Sequence, residues 1–178
     1  LGIPKNECLL KVVLYANIRY LHQLLDYLSG EPLDVIEYKL ARKQIFISSA
    51  NLSRAYHHML SEPKTIPLAT EYIYRFQIHN HELYASAAAL LLDGGSKKQQ
   101  IILPEHKQLV AKSITFLEAS IAELTTNNSI PPPNDERIIP VSGYRHSEIL
   151  GQQLKLIHRQ AKNIYLQTHK IAHEQCSY

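Results

Sequence analysis

His169 and His173 stand four residues apart near the end of the chain, and Cys176 follows three residues later. On a helix that spacing turns both imidazoles to one side, and imidazole with thiolate is a donor set that zinc accepts. The pair falls in the last turns, where helix ends fray, and no HExxH or CxxC string accompanies it. It therefore reads as a solvated helix end, and no metal site is assigned. His57 and His58 are about 100° apart around a helix and cannot easily chelate one ion together. His58 and Glu62, one turn apart, make a surface pair contributing about a few tenths of a kcal/mol.

Other reaction chemistry finds less support. There is no GxSxG, no glycine-rich phosphate loop and no histidine with an obvious orienting acid. Ser48, Ser49 and Ser53 fall in the middle of a helical stretch, where a small side chain lets another helix come close. The repeated ExxH strings of a di-iron bundle are missing, as are paired carboxylates on an inward stripe. The expectation is a non-enzymatic protein with no cofactor.

Tyrosine is the commonest aromatic, with 11 residues against three phenylalanines. Eight of them, from Tyr15 to Tyr84, fall in the first half of the chain. A tyrosine buries its ring while its hydroxyl seeks a partner, so it suits the boundary of a core. An aromatic-ligand cleft is one role for them, with Tyr38 and Arg42 as the candidate ligand-binding residues.

These residues need elements to position them, and five helical segments separate at proline or glycine punctuation. The first begins after Pro4 and stops at Gly30 and Pro32, with Leu10, Leu14, Ile18, Leu21, Leu25 and Leu28 on one face. The second runs from the N-cap Asp34, with Glu37 three residues on, to Glu62; Tyr38, Ala41, Ile45, Leu52, Ala55 and Met59 trace its inner stripe. The third starts near residues 67–70 and carries Ile73, Phe76, Asn80, Leu83, Ala87 and Leu90 inward. The fourth opens after Pro104 with Leu109, Phe116, Leu117, Ile121 and Leu124 inside. The fifth runs from about Ser142, with Leu150, Leu154, Ile157, Ala161, Ile164 and Ile171 inward. The stretches GGSKKQQ and the triple proline read as surface loops and sites of disorder.

The fold expected is all-α, one domain over 1–178, an antiparallel bundle of about five long helices joined by short connections. In an antiparallel hairpin of the second and third helices, partner numbers total about 130. Asn51 then lies opposite His79 and Asn80, and an interhelical hydrogen bond among these three would fix the register. The same register sets the small residues 85–89 against 41–45, where the helices could approach closely.

Composition narrows the class further. A net charge of +3, with basic residues scattered and not clustered, argues against a nucleic-acid partner. The two cysteines, Cys8 and Cys176, make no disulfide framework and fit a reducing compartment. The longest apolar run, YASAAALLL, is about half of what a bilayer span requires. The chain opens on Leu1, so a fragment of a larger protein is expected.

Residues 37–64, EYKLARKQIFISSANLSRAYHHMLSEPK, resemble the FUSC-like (fusaric acid resistance-like) bacterial inner-membrane proteins. Tyr38, Ala41, Arg42, Asn51, Leu52, Met59, Glu62 and Pro63 carry the match. The stretch QIHNHELYASAAALL looks like the next helix of that family, with Asn80 and His81 in place, and ANIRYLHQLLDYL suits the helix that leaves the membrane. Where the family usually carries QRM this chain has HHM, and residues 103–178 match only as generic helices.

The resemblance implies a cytoplasmic domain of a multi-pass transport or efflux protein, some relatives being linked to aromatic carboxylic acids. Its partner would be the transmembrane portion of the same protein, with a second copy of the chain as a further candidate. Its role would be assembly or gating at the cytoplasmic face of the inner membrane. Lys5, Lys11 and Arg19 agree with that side of the bilayer. The alternatives are an aromatic-acid sensing domain and a metal-binding helical bundle.

Overall fold

Among the described residues, the helix ends marked by Gly30, Asp34 and Pro104 fall where the sequence punctuates them. The computed structural model describes residues 3–61, 69–93, 101–126, 131–136, 138 and 148–174. Five helices result: α1 (Ile3–Leu28), α2 (Val35–Ser61), α3 (Ala69–Asp93), α4 (Pro104–Glu123) and α5 (Glu148–Glu174). Four sequence expectations lie outside the described residues: Glu62 as the end of the second helix, the GGSKKQQ loop, the start of the fifth helix at Ser142, and Cys176.

At the end of α1, Gly30 adopts φ +89°, which only glycine takes up without strain. Its N–H reaches the Tyr27 carbonyl at 3.1 Å while the Glu31 N–H reaches that of Asp26 at 3.0 Å, closing off the last carbonyls. Asp34 then caps α2, its Oδ1 accepting the N–H groups of Ile36 at 2.9 Å and Glu37 at 3.1 Å. α4 opens with Pro104 in its first turn.

α1, α3, α5 and α4 form a ring of four helices in that order around one core, with α2 packed outside it against α1 and α3. The inward stripes agree with the periodicity. Ile73, Phe76, Asn80, Leu83, Ala87 and Leu90 of α3 are all buried, as are Leu150, Leu154, Ile157, Ala161, Ile164 and Ile171 of α5. The fold is therefore all-α, and no described helix is long and apolar enough to cross a membrane.

Two packing expectations are corrected. First, α4 and α5 run parallel: His106 near the start of α4 neighbours Gly151, Phe116 neighbours His158 and Tyr165, and Glu123 at its end meets His169 and His173. The intervening residues 124–147 have ample reach to return along α4, which is about 30 Å long. Second, the helix that α3 approaches most closely is α5, not α2. The α2–α3 register is nonetheless the expected one, since Phe46 meets Tyr84, Ser49 meets Asn80 and Tyr56 meets Tyr74. Ala41 and Ala87, within the two stretches expected to face each other, are both fully buried.

Because α2 stands outside the ring, only a narrow stripe of it is covered: Tyr38, Ala41, Ile45, Ser48 and Leu52. Ile36, Leu40 and Ile47 lie on the opposite side and are 71%, 46% and 44% exposed.

Candidate functional site

Glu123 closes α4, and its side chain has no solvent exposure. A carboxylate is poorly placed there, because the C-terminal end of a helix carries the negative pole of its dipole. Burying that charge costs several kcal/mol unless partners compensate. Compensation comes from α5. His173 Nε2 lies 3.1 Å and His169 Nδ1 3.3 Å from Glu123 Oε2, and the Tyr165 hydroxyl donates a long 3.4 Å hydrogen bond to Oε1.

The spacing of four residues sets the two imidazoles side by side, their ring centres 4.2 Å apart. Tyr165 continues the stack, 6.2 Å from His169. Burial raises the Tyr165 hydroxyl above its ordinary pKa, and the Glu123 charge pushes in the same direction. The sequence shows the His169 and His173 pair but not its partner. The signal was there: Glu123 continues the stripe of Leu109, Phe116 and Ser120, where only an inward position is available.

A second polar group lies midway along the same pair of helices. Residues 135 and 136 cross the α4–α5 groove, and Asp135 is held by Lys162 at 2.5 Å and His158 at 3.3 Å. Lys112 of α4 bonds the Glu136 carbonyl. Lys112, Asp135, Glu136 and His158, together with Leu109, Ile138 and Lys155, line an open cleft of about 360 Å³. The hydrogen bond from Lys162 holds the Asp135 carboxyl below its ordinary pKa. Burial lowers His158 despite the opposing pull of Asp135, and the Lys112 and Lys162 charges add to the lowering. Lys112 from α4, with Lys162 and His158 from α5, tethers residues 135 and 136 to both helices, so the arrangement is a clasp.

His106 is the third unusual histidine. It is 2% exposed, its Nδ1 accepts the Leu103 N–H at 3.1 Å across the first turn of α4, and burial lowers its pKa. Protonation would place a hydrogen on that accepting nitrogen and break the cap. His106 and His158 both have depressed folded pKa values, so the stability they carry is complete above the ordinary 6.5 and is lost as pH falls through their folded values. Asp135 adds a second loss below its ordinary 3.8. Thermal midpoints should therefore fall between pH 7.5 and pH 5, and His106→Gln, which keeps an acceptor, should flatten part of that slope. A midpoint independent of pH over that range would contradict the assignment.

The residues proposed from sequence separate. Asn80 is 2% exposed; its Oδ1 accepts from Asn17 Nδ2 at 2.6 Å and its Nδ2 donates to Ser49 Oγ at 3.0 Å, tying α3 to α1 and α2. His79 turns to α5, with Nδ1 2.7 Å from Gln160 Oε1. Asn51 is exposed and joins neither. The register had placed it opposite them correctly, but two residues further along α2 the side chain points about 200° away from Ser49, toward solvent.

Tyr38 is buried against Tyr20, ring centres 5.9 Å apart, while Arg42 is exposed with its guanidinium 5.6 Å from the Phe46 ring centre. Neither lines the cleft. Burial and the Tyr38 hydroxyl raise the pKa of Tyr20, with Arg42 opposing. Asn17, buried mid-α1, was missed because the leucine spacing of that helix passes over it. Searches against protein-family models, curated proteins and solved structures give no match to this chain.

Proposed function

We propose that this chain is a non-catalytic helical domain on the cytoplasmic side of a bacterial inner-membrane transport protein, working by docking and supporting assembly or gating. The observation that carries the reading is the outward face of α2, where Ile36, Leu40 and Ile47 stand exposed opposite the buried stripe. Large apolar side chains aligned on one face of a helix mark an interaction surface. Leu40 and Ile47 of this face lie in the segment whose sequence resembles the FUSC-like proteins, and Lys39 and Lys43 flank it with positive charge. The four-helix ring supplies a rigid base from which α2 presents it.

The reading is tested first on the coding sequence continuous with Leu1, which should encode segments of about 20 apolar residues able to span a bilayer. An open reading frame without such segments overturns it. In the full protein, Leu40→Glu with Ile47→Glu should leave helix content and thermal midpoint within about 0.5 kcal/mol of the parent, since both sites are exposed. Assembly of the membrane protein, read by size in detergent, should fall. Unchanged assembly would remove α2 as the docking face.

A further inference from the structure

We propose that Glu123, His169 and His173 form a binding site for a divalent transition-metal ion of the zinc class, which would staple the C-terminal ends of α4 and α5. The donors converge from two helices: Glu123 Oε2 is 3.1 Å from His173 Nε2 and 3.3 Å from His169 Nδ1, and all three atoms lie within 4.8 Å of one another. A tetrahedral zinc ion with bonds of about 2.0–2.1 Å sets its ligands about 3.3 Å apart, close to the spacing Glu123 Oε2 already keeps from both imidazoles. Imidazole and carboxylate donors select zinc, cobalt or nickel over calcium and magnesium, which favour all-oxygen shells.

A second observation is independent of those distances. The His169 Nδ1 atom is buried and makes no aligned hydrogen bond among the described residues, although the Glu123 carboxylate is beside it. A metal ion uses the lone pair on that nitrogen and neutralises the buried carboxylate in one step. Tyr165, bonded to Glu123 Oε1, stands behind the carboxylate as the outer-shell group that orients a ligand. The histidine side chains are 38% and 35% exposed, which leaves a path for entry and a fourth position for water. The site is independent of the membrane reading and stands or falls without it.

The test uses the full 178-residue chain made without a histidine tag and stripped with EDTA. Calorimetric titration with Zn²⁺ alone should show one saturable equivalent, and Co²⁺ should give the intense visible bands of a four-coordinate ion. His173→Gln should weaken Zn²⁺ binding at least about tenfold, and Tyr165→Phe should weaken it by a smaller factor. His57→Gln with His58→Gln should bind as the parent does, because both are exposed on α2, which packs against neither α4 nor α5. A Zn²⁺-dependent rise in thermal midpoint, present in the parent and lost in Glu123→Gln, gives a readout that does not rely on unchanged stability. Absence of one-equivalent binding, or equal affinity in His169→Gln/His173→Gln, overturns the site and leaves the cluster as an imidazole–carboxylate pair.

Discussion

Asn80→Ala should lower the unfolding free energy by about 2–4 kcal/mol, measured by urea denaturation. The substitution removes two hydrogen bonds at once, the one Asn80 Oδ1 accepts from Asn17 and the one Asn80 Nδ2 donates to Ser49. Asn17 is 1% exposed and keeps only its bond to the Val13 carbonyl, while its Oδ1 already has no hydrogen-bond partner among the described residues. An orphaned buried amide costs about 1–3 kcal/mol, and the truncated side chain leaves a gap besides.

The exposed Asn51→Ala is the control and should stay within about 0.5 kcal/mol. Asn17→Leu with Asn80→Leu should recover much of the loss, because it removes both buried amides and leaves only the half-buried Ser49 hydroxyl without its donor. The double variant would then report what the pair does for specificity, since a buried polar contact rejects neighbouring registers that an apolar one tolerates. Equal stabilities for Asn80→Ala and Asn51→Ala would show that the pair does not carry the α1–α3 contact.

Phe116→Ala should cost about 3–5 kcal/mol, which lowers the thermal midpoint by on the order of 10 °C for a chain of this size. Phe116 is 2% exposed and sits between the two polar groups of the α4–α5 seam, with His158 at 5.7 Å and Tyr165 at 5.9 Å between ring centres. Removing the ring opens a cavity in the core and unseats both neighbours, so the clasp at Asp135 and the Glu123 cluster should loosen together. Ile149→Ala, at a side chain 72% exposed, should be nearly silent. A Phe116→Ala midpoint within 2 °C of the parent, on the order of a 1 kcal/mol change or less, would mean the seam is not packed through this residue.

Much of the helical architecture is legible from local chemistry. Asp34 with Glu37, Gly30 and Pro104 each mark a helix end because capping and backbone freedom act over four or five residues. The stripes on α3 and α5 are legible because a helix repeats its face every three or four residues. Apart from the α2–α3 register, what fails is whatever depends on which faces meet. Asn80 is recognisable as an inward polar residue, yet its partners are Asn17 and Ser49, on helices 63 and 31 residues away in sequence. The small residues near 85–89 imply packing against α2, but the more extensive contact of α3 is with α5.

The sequence by itself determined that this chain is helical, where α1 ends and where α2 and α4 begin, and which side of α3 and α5 avoids water. Only the tertiary structure decided that α2 stands outside the ring, that α4 and α5 run parallel, and that Glu123 is buried against His169 and His173. Hydrophobic burial is non-directional: it instructs a stripe to find another stripe without naming which one. The choice is made by connection length, side-chain bulk and the pairing of buried polar groups, and each of these joins residues far apart in the chain.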